Sequence, residues 1–304
     1  MIRALTRSSA TFAPFGRLGV AMVTPLGADG SLDTDVIPGV VEHLLAAGHD
    51  LIVVNGTTGE SATTSDEEKG RILATTLAAV DGRASVLAGV GSADTHHSIG
   101  LARHAEALGA DGLLVVTPYY SRPTQDGLVA HFTAVADATS LPVMLYDVPG
   151  RTATPIATAT LLELADHPRI VAVKDAKSDL AATTAVLADS DLAVYSGADE
   201  NNLAWLAVGA VGVVSVVSHV AGGPYARMIA ALDSGDLATA RAIDRRLAPA
   251  VRAIMTRVPG VVAVKAALQL TGVLDHRSVR LPQVPMSDAD TTSLKADLAA
   301  SDLL

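Results

Sequence analysis

Eight times between Leu18 and Ser215, a short run rich in β-branched residues gives way to a longer Ala- and Leu-rich stretch with helical spacing. The strand-like runs are 18 to 23, 50 to 55, 85 to 89, 112 to 117, 142 to 147, 170 to 174, 192 to 196 and 211 to 215. Helical segments follow them, among them Thr34 to Ala47, Ser65 to Val80, Thr95 to Leu108, Gln125 to Ala138 and Pro155 to Ala165. A helix between two strands carries the chain back to the edge it started from, so the strands run parallel. Several helices stop on a glycine a few residues before the next strand, at Gly48, Gly109 and Gly209, where a left-handed residue ends the helix. The pattern predicts an α/β fold, a (β/α)8 TIM barrel over residues 17 to 234. A doubly wound open sheet has the same local pattern and stands as the alternative.

After about Ser234 the strand signals stop. Leu237 to Thr256, Gly260 to Leu270 and Ser287 to Ala300 read as helices, which makes residues 235 to 304 a C-terminal helical appendix. Leu281-Pro282-Gln283-Val284-Pro285 is an extended connector before the last helix. Residues 1 to 16 carry Arg3 and Arg7 but no acidic residue and no apolar core of signal-peptide length. They are expected to form a flexible extension, with an organellar transit peptide as the alternative. Asn201 to Ala226 contains no Asp, Glu, Lys or Arg. Glycines and Gly223-Pro224 interrupt it, so helix, turn, strand and loop in succession describe it better than a membrane span.

Charge and composition narrow the function classes. With 32 acidic against 22 basic residues, the net charge of −10 opposes a nucleic-acid or anionic-membrane partner. The absence of cysteine removes disulfides and thiol chemistry and fits a cytoplasmic location. No histidine spacing suggests a metal site, since His96 and His97 are adjacent and no HExxH pair exists. No cofactor is expected.

In a barrel the residues that end strands converge on one rim, and the reactive side chains fall there. Strand two runs into Gly56-Thr57-Thr58-Gly59-Glu60-Ser61, strand four into Tyr119 and Tyr120, strand five into Tyr146 and, beyond Pro149, Arg151. Strand six ends in Lys174 and strand seven in Tyr195-Ser196-Gly197. Aromatic content is 3%, yet four of the five tyrosines lie at these strand ends, a placement that core packing does not predict. Of the five lysines, Lys69, Lys177, Lys265 and Lys295 read as helical or at helix starts, and Lys174 alone ends a strand. Apolar walls disfavour its charged form, and a neutral amine attacks carbonyl carbon. The competing reading is a strand-end lysine that reaches back to water. The two glycines flanking Thr57 and Thr58 let backbone N–H groups and hydroxyls approach a small anion, or else make only a tight turn. Arg151 is placed either to grip a carboxylate with two parallel bonds or to pair with a surface acid.

Taken together, GTTGES (Gly56 to Ser61), VTPYY with RP (Val116 to Pro123), LPVMLYDVPGRT (Leu141 to Thr152), VAVKDA (Val171 to Ala176) and YSG (Tyr195 to Gly197) resemble the dihydrodipicolinate synthase family. That family belongs to the N-acetylneuraminate lyase group of class I aldolase barrels. The motifs span nearly the whole barrel in the family's order, and VKDAK, LLVVTPYYS and RLPQV are similar to actinobacterial members. The resemblance implies a Schiff-base-forming lyase of lysine biosynthesis that condenses pyruvate with L-aspartate 4-semialdehyde. Lys174 would form the imine and Tyr146 would be the general acid/base. Thr57 and Tyr120 would complete a proton relay, with Tyr120 reaching in from a neighbouring subunit of a homodimer or homotetramer. Thr58 and the Val214 backbone would hold the pyruvate carboxylate, Arg151 the carboxylate of the semialdehyde, and Gly197 would belong to the substrate site. One departure is Val258-Pro259-Gly260-Val261, where many members carry Asn-Pro before the lysine that matches Lys265. Another pyruvate-dependent aldolase, lyase or sugar-acid dehydratase of the group, or a non-catalytic pyruvate-binding sensor, are the remaining readings.

Overall fold

A computed structural model describes residues 13 to 304. In its first half β1 (Leu18–Ala21), α1 (Ile37–Ala46), β2 (Leu51–Val54), α2 (Asp66–Val80), β3 (Ser85–Gly89), α3 (Thr95–Leu108), β4 (Gly112–Val116) and α4 (Gln125–Asp137) alternate. The second half continues with β5 (Val143–Asp147), the single turn α5 (Pro149–Thr152), α6 (Thr158–Leu164), β6 (Ile170–Asp175), α7 (Leu180–Asp189), β7 (Ala193–Ser196), α8 (Asn202–Val208), β8 (Gly212–Ser215) and α9 (Ser218–Asp233). The appendix is α10 (Leu237–Thr256), α11 (Gly260–Leu270) and α12 (Asp288–Ala300). All eight strands pair in parallel and in chain order, and β8 returns to β1 with Leu18 beside Val213. Closure removes the doubly wound alternative, which needs an open sheet with the strand order reversed at its middle.

Alternation along each strand builds two cores. On β6, Val173 faces outward to the helices, while Ala172 and Lys174 face the barrel interior. Helix starts are fixed locally, most fully at α2, where Ser65 and Glu68 form a reciprocal capping box. Gly223-Pro224 does not form a loop; it lies inside α9, just after Ala221 breaks the helical backbone (φ −118°, ψ 20°). Pro224 thus enters the first turn of the resumed helix, where its missing N–H leaves no bond unmade.

Packing of the barrel interior begins before β1. Phe15 is 2% exposed and packs inside the barrel with Leu51, Leu87 and Tyr195. Asp50 fastens the neighbouring chain by accepting the N–H groups of Arg17 at 2.8 Å and Leu18 at 2.7 Å. Of the flexible extension expected over residues 1 to 16, residues 1 to 12 lie outside the described residues. Tyr195 also departs from the rim placement. Its hydroxyl donates to the Gly16 carbonyl at 2.9 Å and accepts from Phe15 N–H at 3.3 Å, so with Phe15 it forms the floor beneath the site.

Beyond the barrel, α10 packs along α9, α12 packs on α10, and residues Val261 to Leu268 of α11 are buried throughout. Among the described residues no helix is long and apolar enough to cross a membrane.

Candidate active site

Lys174 and Tyr146 are direct neighbours across the β5/β6 ladder, both pointing into the barrel. Lys174 is 3% exposed, and its Nζ lies 4.5 Å from the centroid of the Tyr146 ring. The alternative of a lysine reaching back to water is thereby excluded. Burial lowers the Lys174 pKa to about 8, the Asp199 carboxylate opposes the shift and the Arg151 guanidinium adds to it. Burial raises the Tyr146 pKa, against the pull of Arg151 and a hydrogen bond with Thr57. Thr57 comes from the loop after β2, where Asn55 turns the backbone into the left-handed region (φ 57°) and the Thr24 hydroxyl holds the Gly59 carbonyl at 2.7 Å.

These groups enclose a cavity of about 160 Å³ lined by Thr57, Thr58, Tyr146, Arg151, Lys174 and Gly197. A larger cavity of about 490 Å³ shares Thr57, Thr58, Tyr146 and Arg151 and adds Tyr119 and Tyr120. Arg151 stands on α5, the segment expected as a loop, whose turn is closed by the N–H groups of Arg151 and Thr152 on the Val148 carbonyl at 2.9 and 3.1 Å. It has no carboxylate partner among the described residues, so its guanidinium is available to the cavity. That decides against the surface-pair reading.

Tyr120 and Val214 stand outside the inner cavity of this chain. Tyr120 is 93% exposed on a left-handed backbone (φ 71°) at the outer cavity and makes no hydrogen bond to Thr57 or Tyr146. Val214 is buried in the barrel interior and does not line the inner cavity, where Val216 takes the place from the same segment. Gly197 does line it, and a Cβ there would come 2.8 Å from Cγ and 2.9 Å from Cε of Lys174. Its hydrogen leaves a channel for the lysine stem. Gly197→Ala is expected to slow reaction of Lys174 with a keto acid at least about fivefold, because an off-rotamer stem costs about 1 kcal/mol or more. Borohydride trapping at unchanged thermal midpoint measures it, and wild-type trapping would refute the channel.

Several buried charges went unread in the sequence. Asp199 follows the Tyr195-Ser196-Gly197 strand end and accepts the N–H groups of Val216 at 2.8 Å and Val217 at 3.0 Å, shaping the wall after β8. Lys177 is not helical; it sits in the β6–α7 loop, 3.2 Å from the buried Asp147 carboxylate. Asp147 also accepts Ile156 N–H at 3.2 Å, and the pair closes the loop that follows Arg151. No group of three or more His, Asp or Glu side chains among the described residues is arranged to hold a metal ion.

Comparison with known proteins agrees with this geometry. The 4-hydroxy-tetrahydrodipicolinate synthase of Kineococcus radiotolerans is 60% identical over 290 residues, covering 95% of this chain and 94% of that protein. The protein of the same name from Mycolicibacterium paratuberculosis is 52% identical over 292 residues, covering 96% and 97%. Among solved structures, a dihydrodipicolinate synthase from Bacillus anthracis superposes with a TM-score of 0.91 at 40% identity, covering 94% of this chain and 98% of that one. The Thermotoga maritima enzyme gives 0.92 at 36% identity, covering 96% and 100%. Residues 14–301 match the Dihydrodipicolinate synthetase family, and with a closed barrel that sets a buried lysine against a tyrosine, the chain belongs to that family.

Proposed function

We propose that this chain is a 4-hydroxy-tetrahydrodipicolinate synthase, a lyase of lysine biosynthesis acting on pyruvate and L-aspartate 4-semialdehyde without a cofactor. The observation that carries the reading is Lys174, buried, lowered toward neutrality and set against Tyr146 in a cavity with Thr57, Thr58 and Arg151. The neutral amine attacks the keto carbon of pyruvate, and the carbinolamine loses water to give the imine. Tyr146 gives its proton to the departing hydroxyl, and a methyl proton then passes to the Tyr146 oxygen, beside Thr57, leaving an enamine. The enamine carbon attacks the aldehyde, whose oxygen takes up the proton. The amino group of the adduct then attacks the imine carbon and displaces Lys174, closing the ring. One water is released in all.

Thr58 holds the pyruvate carboxylate in this reading, and Arg151 holds that of the semialdehyde. Tyr120 completes the relay from a neighbouring subunit, which its exposure at the cavity mouth supports, and so the protein works as a homodimer or homotetramer. A cytoplasmic location goes with the reading and is supported by the cysteine-free sequence.

Coupled turnover of pyruvate with L-aspartate 4-semialdehyde tests the assignment. Turnover of a sugar acid in its place would identify another lyase or dehydratase of the group, and imine formation without any turnover a pyruvate-binding sensor. Arg151→Ala is expected to raise the KM for the semialdehyde about 10- to 100-fold, the loss of charge-assisted bonds worth about 1.5–3 kcal/mol. Pyruvate imine formation should persist in that variant, and equal damage to both steps would make Arg151 a scaffold residue.

A further inference from the structure

Glu60 closes the loop that carries Thr57 and Thr58, and its own backbone is left-handed (φ 56°). A non-glycine residue holds that conformation only where its surroundings impose it. Its side chain is buried, and both carboxylate oxygens are taken from the C-terminal appendix. One accepts Lys265 Nζ from the middle of α11, and the other accepts Arg280 N–H at 2.8 Å. Lys265 is 0% exposed and also donates to the Ser278 carbonyl at 2.8 Å. The Arg280 side chain binds the same region from outside, donating to the Thr63 carbonyl at 2.8 Å, to Gly30 O at 2.9 Å and to Glu68. The loop after β2 and two segments of the appendix thus meet at one carboxylate.

Within the loop the connection runs on to the reacting groups. Glu60 N–H donates to the Thr57 carbonyl at 3.1 Å, and the Glu60 carbonyl accepts Thr63 N–H at 2.9 Å. Thr57 lines the inner cavity together with Tyr146 and Lys174, and its side chain pulls the Tyr146 pKa down against burial. A buried ion pair is a poor source of stability, because desolvating both charges offsets most of their attraction and an apolar pair of the same volume often does better. Directional bonds to both oxygens, however, allow one orientation of Glu60 and hence one path for the loop. An apolar residue at position 60 would pack without fixing that path.

We propose that Glu60 and Lys265, with the Arg280 N–H, form a positioning clamp through which the C-terminal appendix holds the Thr57 hydroxyl against Tyr146 for proton transfer. The proposal rests on the reading of Thr57 and Tyr146 as the proton-transferring pair. It assigns the appendix a part in the reaction itself, although no appendix residue of the clamp lines the inner cavity.

Proton transfer can be read separately from imine formation and without the semialdehyde. Exchange of the pyruvate methyl protons for deuterium requires both steps, whereas borohydride trapping requires the imine alone. In Lys265→Met the exchange is expected to fall about 100-fold while the trapping rate stays within twofold of wild type. In the double variant Glu60→Gln with Lys265→Met, the thermal midpoint should recover, because no charge is left buried alone, and the exchange should not. Recovery of exchange together with the midpoint would overturn the clamp and leave a structural ion pair. Equal loss of trapping and exchange would also overturn it. If Lys265→Met does not fold, Glu60→Gln decides, since its amide still accepts from Arg280 N–H: exchange lowered at normal trapping supports the clamp, and unchanged exchange refutes it. Wild-type exchange with no condensation would instead count against the second substrate and leave the clamp standing.

Discussion

Borohydride added with pyruvate is expected to inactivate the protein and to place the reduced adduct on Lys174 alone, while Lys174→Ala loses condensation by a factor on the order of 10⁴ or more, as when a covalent nucleophile is removed. With its pKa lowered to about 8, roughly one Lys174 in ten is neutral at pH 7, against about one in three thousand for an ordinary lysine. The trapping rate should therefore climb as pH rises through 8 and level off about a unit above. Lys69, Lys177 and Lys265 are already committed to the Thr64 carbonyl, Asp147 and Glu60. A label spread over these lysines, or a trapping rate flat between pH 7 and 9, would remove Lys174 from its role.

The second large effect is acid sensitivity of the fold. His49, His131 and His219 are buried, and burial lowers their pKa values to about 4, 4 and 3. His219 joins two strand ends in its neutral form, accepting Val23 N–H at 3.1 Å on Nε2 while Nδ1 donates to the Val216 carbonyl at 2.8 Å. An unfolded histidine takes up a proton below about pH 6.5, but these three do so in the fold only near their lowered values. Between those limits the unfolded chain binds more protons, so the stability is complete above pH 6.5 and is lost as pH falls. Asp147 acts in the opposite sense. Burial raises its pKa to about 6, so below that the folded chain retains a proton that the unfolded chain releases down to about pH 3.8. The net difference of two protons near pH 5 amounts to about 2.7 kcal/mol per pH unit. Urea midpoints at pH 7 and pH 5 measure it, and equal midpoints would show that the histidines are not held neutral.

The strands and the long helices were legible in the sequence to within a few residues. Their signals are local: β-branched runs, capping residues such as Ser65, and glycine stops such as Gly109. Lys174, Tyr146, Thr57, Thr58, Arg151 and Gly197 were legible as strand-end chemistry, because a closed barrel brings strand ends to one cavity. What could not be read depends on direction or on distance along the chain. Sequence spacing puts Tyr195 on the interior face of β7 but does not say toward which end of the barrel its ring leans. Glu60 and Lys265 are joined across 205 positions, and nothing local to either marks the other. Tyr120 is 93% exposed and does not line the inner cavity, so nothing within one chain fixes the part proposed for it.

Phe15 and Tyr195 seal the barrel under the reacting lysine, and the inner cavity shares its walls with the outer one. Under the proposed function the keto acid docks deepest, against Lys174, and the aldehyde takes the outer chamber. An aldehyde held between the shared walls would stand in the way of the keto acid, so an excess of the second substrate is expected to slow the loading of the first.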